Sequence, residues 1–522
     1  MDNSPSRPAG PAGKVKPGWV LVRKIVQALF LVLFLAFFFL NRQSHQAGMD
    51  FIDYFMHLDP LLVLTSMIAS RSYLDIALIE LVIAIALAVV AGRAWCGWIC
   101  PLGTVLDLFS FKKSPKISIP EYFRSIKYGL LLVILTASFF GNLTLLFFDP
   151  LTILYRSLTL AILPAINQII TISEQTLYPI GFLQEPIAWL EQVLRPAILP
   201  YSLNYFYQAV LFGFVFFAVI LLNLLAPRFW CRYLCPLGGL LGLISRFSIF
   251  RREVNPNCRE CRLCEKRCPT GTIDAQKGFS SDPAECTLCL ECFKSCSDST
   301  IKAHSPFSPA DKQDYDPKRR QILITAAASI AGVALFKNEA VSAHPNPKLL
   351  RPPGSTEDSI LSTCLRCGVC MRACPTNIIQ PAGPEMGLER LWTPVLNPEL
   401  GYCEFTCNTC GQVCPSQAIP FLPLEQKQQV VIGKAYINEN RCLAWSDHKT
   451  CMVCEEMCPL AEKAIQLTEL DVVDPDGSKH TIRVPQVDRS RCIGCGACEF
   501  KCPVVGEAAI NVYYVNPDLY NM

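Results

Sequence analysis

Cysteine spacing carries the chemistry of this chain. "CRECRLCEKRCP" places Cys258, Cys261, Cys264 and Cys268 at intervals of x2, x2 and x3 before a proline, and "CTLCLECFKSCS" repeats the spacing at Cys286, Cys289, Cys292 and Cys296. Three thiolates this close, completed by a fourth from a neighbouring group, are how a two-cluster bacterial ferredoxin holds its [4Fe-4S] cubanes. The expected sets are Cys258, Cys261, Cys264 with Cys296, and Cys286, Cys289, Cys292 with Cys268. Zinc is the competing metal, but its Cys-x2-Cys pairs usually stand apart. Ser297 replaces the proline that usually follows the second group and removes no ligand.

Four more groups follow residue 340. Cys364, Cys367, Cys370, Cys374 and Cys492, Cys495, Cys498, Cys502 keep the regular spacing. Cys403, Cys407, Cys410, Cys414 has one extra residue, and Cys442, Cys451, Cys454, Cys458 has a long first loop. Insertions of this kind lengthen a loop without removing a thiolate, so six [4Fe-4S] clusters are expected in all. The gaps leave open whether these four groups pair in sequence or nest, first with fourth and second with third.

The last four thiols belong to a repeat. "RAWCGWICPLGTVLDL" from Arg93 and "RFWCRYLCPLGGLLGL" from Arg228 match at Arg, Trp, both Cys, Pro, Leu and Gly. Each is preceded by an Asp-Pro-Leu element, at Asp59 and at Asp149, read as a turn just beyond the outer end of an apolar run. The copies bring Cys96, Cys100, Cys231 and Cys235 to one face. Three uses are open: a shared, seventh iron-sulfur centre, dithiol or copper chemistry, or inert thiols shaping two turns. These sets use all 28 cysteines and leave none for structural disulfides.

The elements that must position them are largely apolar. Half of the chain, 51%, is hydrophobic, and the net charge of +3 is too small to imply a nucleic-acid partner. Runs at 19–40, 74–90, 128–148 and 205–225 approach the ~20 residues of a spanning helix. Weaker stretches at 153–171 and 178–200, broken by prolines and charges, are expected to lie at the interface. Lys and Arg cluster before the first run, between the second and third, and after the fourth, which sets both ends of this unit on the cytoplasmic side. Trp95, Trp98 and Trp230 are read as interfacial anchors. Glu80, within the second run, is a candidate proton acceptor because an ionisable group there is costly and often functional; His57 beside Asp59 is a weaker one.

"KRRQILITAAASIAGVALF" opens at Lys318 with Arg319 and Arg320, and residues 322–336 form a 15-residue apolar run before small residues at 340–343. At about 22 Å as a helix the run is short for a bilayer and typical of a signal's apolar region. An internal twin-arginine signal, which exports folded cargo, suits a module carrying sixteen ligand thiols, since unfolded thiols would pair in an oxidising compartment. Ile322 stands where Phe is more usual. The expected organisation is a cytoplasmic tail (1–18), a four-helix membrane domain (19–250), a cytoplasmic two-cluster ferredoxin (251–305), a linker (306–317), the signal or fifth membrane segment (318–343) and a periplasmic four-cluster ferredoxin (344–522). The fold class is a multi-pass α-helical membrane bundle with a pseudo-two-fold repeat plus α+β bacterial-type ferredoxin domains.

On these motifs, residues 19 to about 300 resemble the NapH and MauN type of membrane ferredoxin, and residues 318–522 are similar to the NapG and MauM type of exported ferredoxin. The resemblance implies a quinol dehydrogenase component of the bacterial cytoplasmic membrane. It would draw on the quinone pool and pass electrons to a periplasmic reductase or c-type cytochrome, with other membrane redox subunits as further partners. The fusion itself departs from the family pattern. None of the expected spans contains histidine, Cys-x-x-Cys-His is missing and there is no dinucleotide fingerprint, so neither haem nor NAD is expected. A metal-reducing, assembly or regulatory membrane ferredoxin, and a wiring subunit of a larger redox complex, are the alternative readings.

Overall fold

The structure, a computed structural model, describes residues 18–40, 55–71, 75–110, 120–197, 199, 204–254, 258–296, 301–304, 326–328, 330, 332, 348–473 and 479–514. The tail before Gly18, the linker and nearly all of the expected signal lie outside the described residues.

Four helix starts in the first half are set by capping side chains. Asp59 begins α2 (Pro60–Ser70; α1 is Gly18–Leu40), its Oδ1 accepting from Leu61 N at 2.9 Å and Leu62 N at 3.4 Å. Asp149 does the same for the helix from Pro150, accepting from Leu151 N and Thr152 N at 2.9 and 3.2 Å. A carboxylate at the cap and proline at the first helical position both favour this geometry. The expected outer turns are therefore buried helix starts, and both aspartates have no exposed surface. Cys100 and Cys235 cap α4 (Pro101–Leu108; α3 is Asp75–Ala91) and the later helix Pro236–Ser245, their Sγ atoms facing Gly103 N at 3.5 Å and Gly238 N at 3.3 Å.

Length and composition select three helices as candidate membrane spans: α1, the stretch Tyr122–Phe139 that contains α5 (Ile126–Phe139), and α6 (Pro150–Leu177). This corrects the expected set in two respects. The runs at 74–90 and 205–225 yield the shorter apolar helices Leu78–Ala91 and Ala209–Leu224, and the third run breaks after Phe139. Conversely, 153–171, expected as a broken stretch, is the middle of the continuous 28-residue α6. A π turn at Leu158–Ile162 runs into Leu163 and Pro164, so the ring and its missing N–H are absorbed by a widened turn instead of ending the helix. The other weak stretch forms the largely exposed α7 (Gln184–Ala197), followed by α8 (Ala209–Leu221) and α9 (Pro236–Ser245).

The cysteine-rich units are α+β, built from two-stranded antiparallel sheets and one-turn helices. In the first, β1 (Arg251–Val254) pairs with β4 (Ile301–His304), and β2 (Ile273–Asp274) with β3 (Ser280–Ser281). In the second, β5 (Ile379–Pro381) pairs with β6 (Pro394–Leu396), β7 (Lys434–Ile437) with β10 (Ile510–Tyr513), and β8 (Ile465–Val473) with β9 (Lys479–Val487).

The two units sit at opposite ends of α5. Lys127, at its start, bonds Glu285 of the first unit at 2.6 Å, whereas Thr144, just past its end, takes Arg366 Nη2 of the second at 3.1 Å. Fourteen helical residues, about 21 Å, separate these contacts. One core unites Phe34, Phe38, Leu102 and Tyr155 of the helical half with Cys96, Cys100, Cys231, Cys235 and, from the last unit, Leu365, Cys367 and Val369.

Candidate iron-sulfur centres

Five cavities are each lined by a group of four cysteines. In the first unit they are Cys258, Cys261, Cys264 with Cys296, and Cys286, Cys289, Cys292 with Cys268. These are the sets expected from spacing. In the second unit Cys364, Cys367 and Cys370 share a cavity with Cys414. Cys492, Cys495 and Cys498 share one with Cys458, and Cys442, Cys451 and Cys454 with Cys502. The groups thus face one another in sequence, first with second and third with fourth. Of the remaining group, Cys410 lies within the electrostatic reach of Cys403, Cys374 and Cys407.

The chemistry of these cavities fits an iron-sulfur cluster. Backbone N–H groups point at the sulfurs, as from Arg366 to Cys364, Ile419 to Cys414, Ala435 to Cys492 and Ala509 to Cys502, each at 3.4 Å. Among the described residues no three His, Cys, Asp or Glu side chains converge as ligands of one ion, whereas thiolates at the corners of a cubane stand further apart. Burial pushes the thiols of Cys289, Cys367 and Cys454 up to about 12. They are protonated at neutral pH until a metal displaces the proton.

The cavities form a series. The one holding Cys286 and Cys289 rests on the helical half: Trp98 Nε1 donates to Leu288 O at 3.1 Å, and a Cβ on Gly97 would lie 2.4 Å from Thr287 O. Beside it, Glu285 takes Arg93 Nη1 at 3.0 Å and Lys127 Nζ. Burial alone would raise this carboxyl, but Lys127 and Arg93 hold it below the usual carboxylate range. At the other end, the Cys364 cavity meets the helices through Arg366, whose Nη1 bonds Cys364 O at 3.0 Å. Further out, Cys403 N donates to Cys495 O at 2.8 Å, joining the first pair of groups to the second.

The four repeat thiols are drawn together from 131 or more residues apart in the chain, all at least nine-tenths buried. Their arginines cross over: Arg93 Nη2 donates to Cys231 O and Arg228 Nη1 to Cys96 O, both at 3.1 Å. Arg228 is held in turn by both carboxylate oxygens of Asp107 at 2.6 Å. Sequence reasoning aligned these arginines without giving them a role; their recurrence beside each Trp-Cys was the available signal. Trp95 and Trp230, expected at the interface, are only 4% exposed because they pack into the core beside the thiols. Trp98 is half-buried against the first unit.

Glu80 and His57, predicted separately, are brought together: His57 Nδ1 lies 3.0 Å from Glu80 Oε2. The other ring nitrogen, Nε2, lies 3.0 Å from the carbonyl oxygen of Pro415, the residue after Cys414.

Candidate membrane helices with cysteine-lined ferredoxin units define an iron-sulfur electron-transfer protein of ferredoxin type. The 4Fe-4S binding domain families match residues 76–120, 208–255 and 360–380, and the 4Fe-4S dicluster domain family matches 449–505. The methylamine utilization ferredoxin-type protein MauM of Methylorubrum extorquens is 34% identical over 38% of this chain and 89% of its own length. The ferredoxin-type protein NapG of Haemophilus influenzae is 31% identical over 38% of this chain and 73% of its own, and that of Escherichia coli 34% over 37% and 82%. The chain belongs to the MauM and NapG family of ferredoxin-type proteins. No solved structure matches it.

Proposed function

We propose that this protein oxidises quinol in a bacterial cytoplasmic membrane and passes the electrons through [4Fe-4S] clusters to an acceptor on the outer side. The observation that carries the reading is the His57–Glu80 pair, 3.0 Å apart and 3.0 Å from the residue that follows Cys414. Quinol oxidation releases two protons and two electrons together. A carboxylate beside an imidazole can take the protons from the hydroquinone oxygens, and a cluster in the adjacent cavity accepts electrons one at a time. Glu80 Oε2 is buried, with the His57 ring as its neighbour.

In this reading the 24 ferredoxin cysteines hold six cubanes in the sets that line the cavities, with Cys403, Cys407, Cys410 and Cys374 holding the sixth. Residues 251–305 face the cytoplasm, and 344–522, carried across by the twin-arginine signal, face the periplasm. A periplasmic reductase or c-type cytochrome then receives the electrons from the outermost cavity, lined by Cys442 and Cys502. The reciprocal contacts of Arg93 and Arg228 support a pseudo-two-fold, NapH- and MauN-like membrane half.

The test is reduction of the full chain, purified without oxygen and reconstituted in liposomes, by a reduced quinone analogue. The clusters lose their visible absorption at a rate that saturates with quinol. Reduction by dithionite but not by quinol overturns the reading.

A further inference from the structure

We propose that Cys96, Cys100, Cys231 and Cys235 jointly hold one iron-sulfur cluster, and that this centre conducts electrons between the first ferredoxin unit and the last. The inference rests on the opposite-face placement of the two units given above, and it is independent of quinol as the donor. Each matched 4Fe-4S segment, 76–120 and 208–255, contains only two of these thiols. A four-thiolate site therefore exists only where both segments meet.

Four observations converge on it. The four thiols share one core and are 3–6% exposed. Cys100 and Cys235 each face a backbone N–H, of Gly103 and Gly238, in the manner of the ferredoxin sulfurs. Trp95 and Trp230, one beside each first thiol, bury indole N–H groups that have no partner among the described residues. A sulfide-bearing cluster supplies acceptors for two such donors; inert thiols leave both unpaired, at a desolvation cost that native cores rarely carry. Finally, Cys100 and Cys235 each lie within the electrostatic reach of both Cys96 and Cys231, so thiols from both segments converge on one place.

Position gives the site its role. Gly97, within the first thiol pair, lies against Thr287 of the Cys286 cavity, and the core that holds the four thiols continues to Cys367 of the Cys364 cavity. Tunnelling weakens steeply with distance, so a centre midway converts one long step into two short ones. In each step one electron leaves a reduced cluster, which is oxidised, and reduces the next; no bond forms or breaks and no proton need move.

The experiment uses the full chain purified without oxygen. Iron and labile sulfide are expected to exceed what six cubanes require, and Mössbauer and spin-resonance titration to resolve a seventh centre, either [2Fe-2S] or [4Fe-4S]. Cys100→Ser with Cys235→Ser should lose that centre alone. Iron sufficient only for six cubanes in the unaltered protein overturns the proposal whether or not the variant folds. In liposomes, a membrane-impermeant low-potential viologen offered to the first unit should reduce the outer clusters at least tenfold more slowly in the variant; an unchanged rate overturns the conducting role.

Discussion

Arg93 Nη2 lies 3.1 Å from the carbonyl oxygen of Cys231, tying the first thiol loop to the second across 138 residues of chain. The same guanidinium bonds Glu285 through Nη1 at 3.0 Å, so one side chain fastens both thiol loops to the first ferredoxin unit. Arg93→Met leaves Glu285 buried with Lys127 and the Tyr128 hydroxyl. Losing one member of a buried ionic cluster costs about 3–5 kcal/mol. Hydrogen exchange of residues 258–296 should rise in the variant while that of 348–473 stays as it was.

The cavity lined by Cys414 and the electrostatic reach between Cys374 and Cys410 make different predictions for two single thiols. Cys414→Ser should damage the cluster of Cys364, Cys367 and Cys370, and Cys374→Ser the cluster of Cys403, Cys407 and Cys410. Spin-resonance spectra of the two variants should lack different signals. Nested pairing instead ties Cys374 to the cluster of Cys492, Cys495 and Cys498, which these spectra would reveal.

Glu80→Gln and His57→Ala should each slow quinol-driven cluster reduction by about 10²–10⁴-fold, the usual range for a positioned proton acceptor. Reduction by dithionite should be unaffected in both. Equal slowing by both reductants points to a damaged cluster.

Arg319→Lys together with Arg320→Lys should strand residues 344–522 inside. Protease added to spheroplasts should digest that module in the unaltered protein and spare it in the variant.

Glu357 accepts from Arg351 Nε and Arg390 Nε, both at 2.7 Å. Burial alone would raise its carboxyl, but Arg351 and Arg390 hold it below the usual carboxylate range. A depressed carboxyl contributes stability that is complete above its unfolded value, about 4.3, and is lost as pH falls through the folded value. Glu357→Gln should therefore cost about 1–3 kcal/mol at pH 7, and the two denaturation midpoints should converge below about pH 4.

The cysteine sets were legible because ligand spacing is local: three of four sulfurs come from a single turn of chain. Which group lends the fourth was legible only in the first unit, where two groups leave one choice. With four groups the answer depends on how β7 meets β10 and how Cys403 meets Cys495, contacts that no spacing encodes. Hydropathy windows misjudged α6 because Pro164 reads as a break, whereas the π turn before it keeps the helix continuous. The indoles of Trp95 and Trp230 were misplaced for a related reason. An aromatic near an apolar run is usually interfacial, and only the folded repeat shows that these two are buried in the core that also holds the four thiols. Glu80 and His57 stood out singly as polar groups in apolar surroundings, but their adjacency needed α2 and α3 to be packed together.

Because each cavity borrows its fourth thiol from the neighbouring group, every pair of groups closes on itself: 258–296, 364–414 and 442–502. A break in the gene between any two of these intervals severs no cluster. In its thiols the chain is thus a row of self-contained cassettes, which recombination can join or part with every four-cysteine lining kept whole.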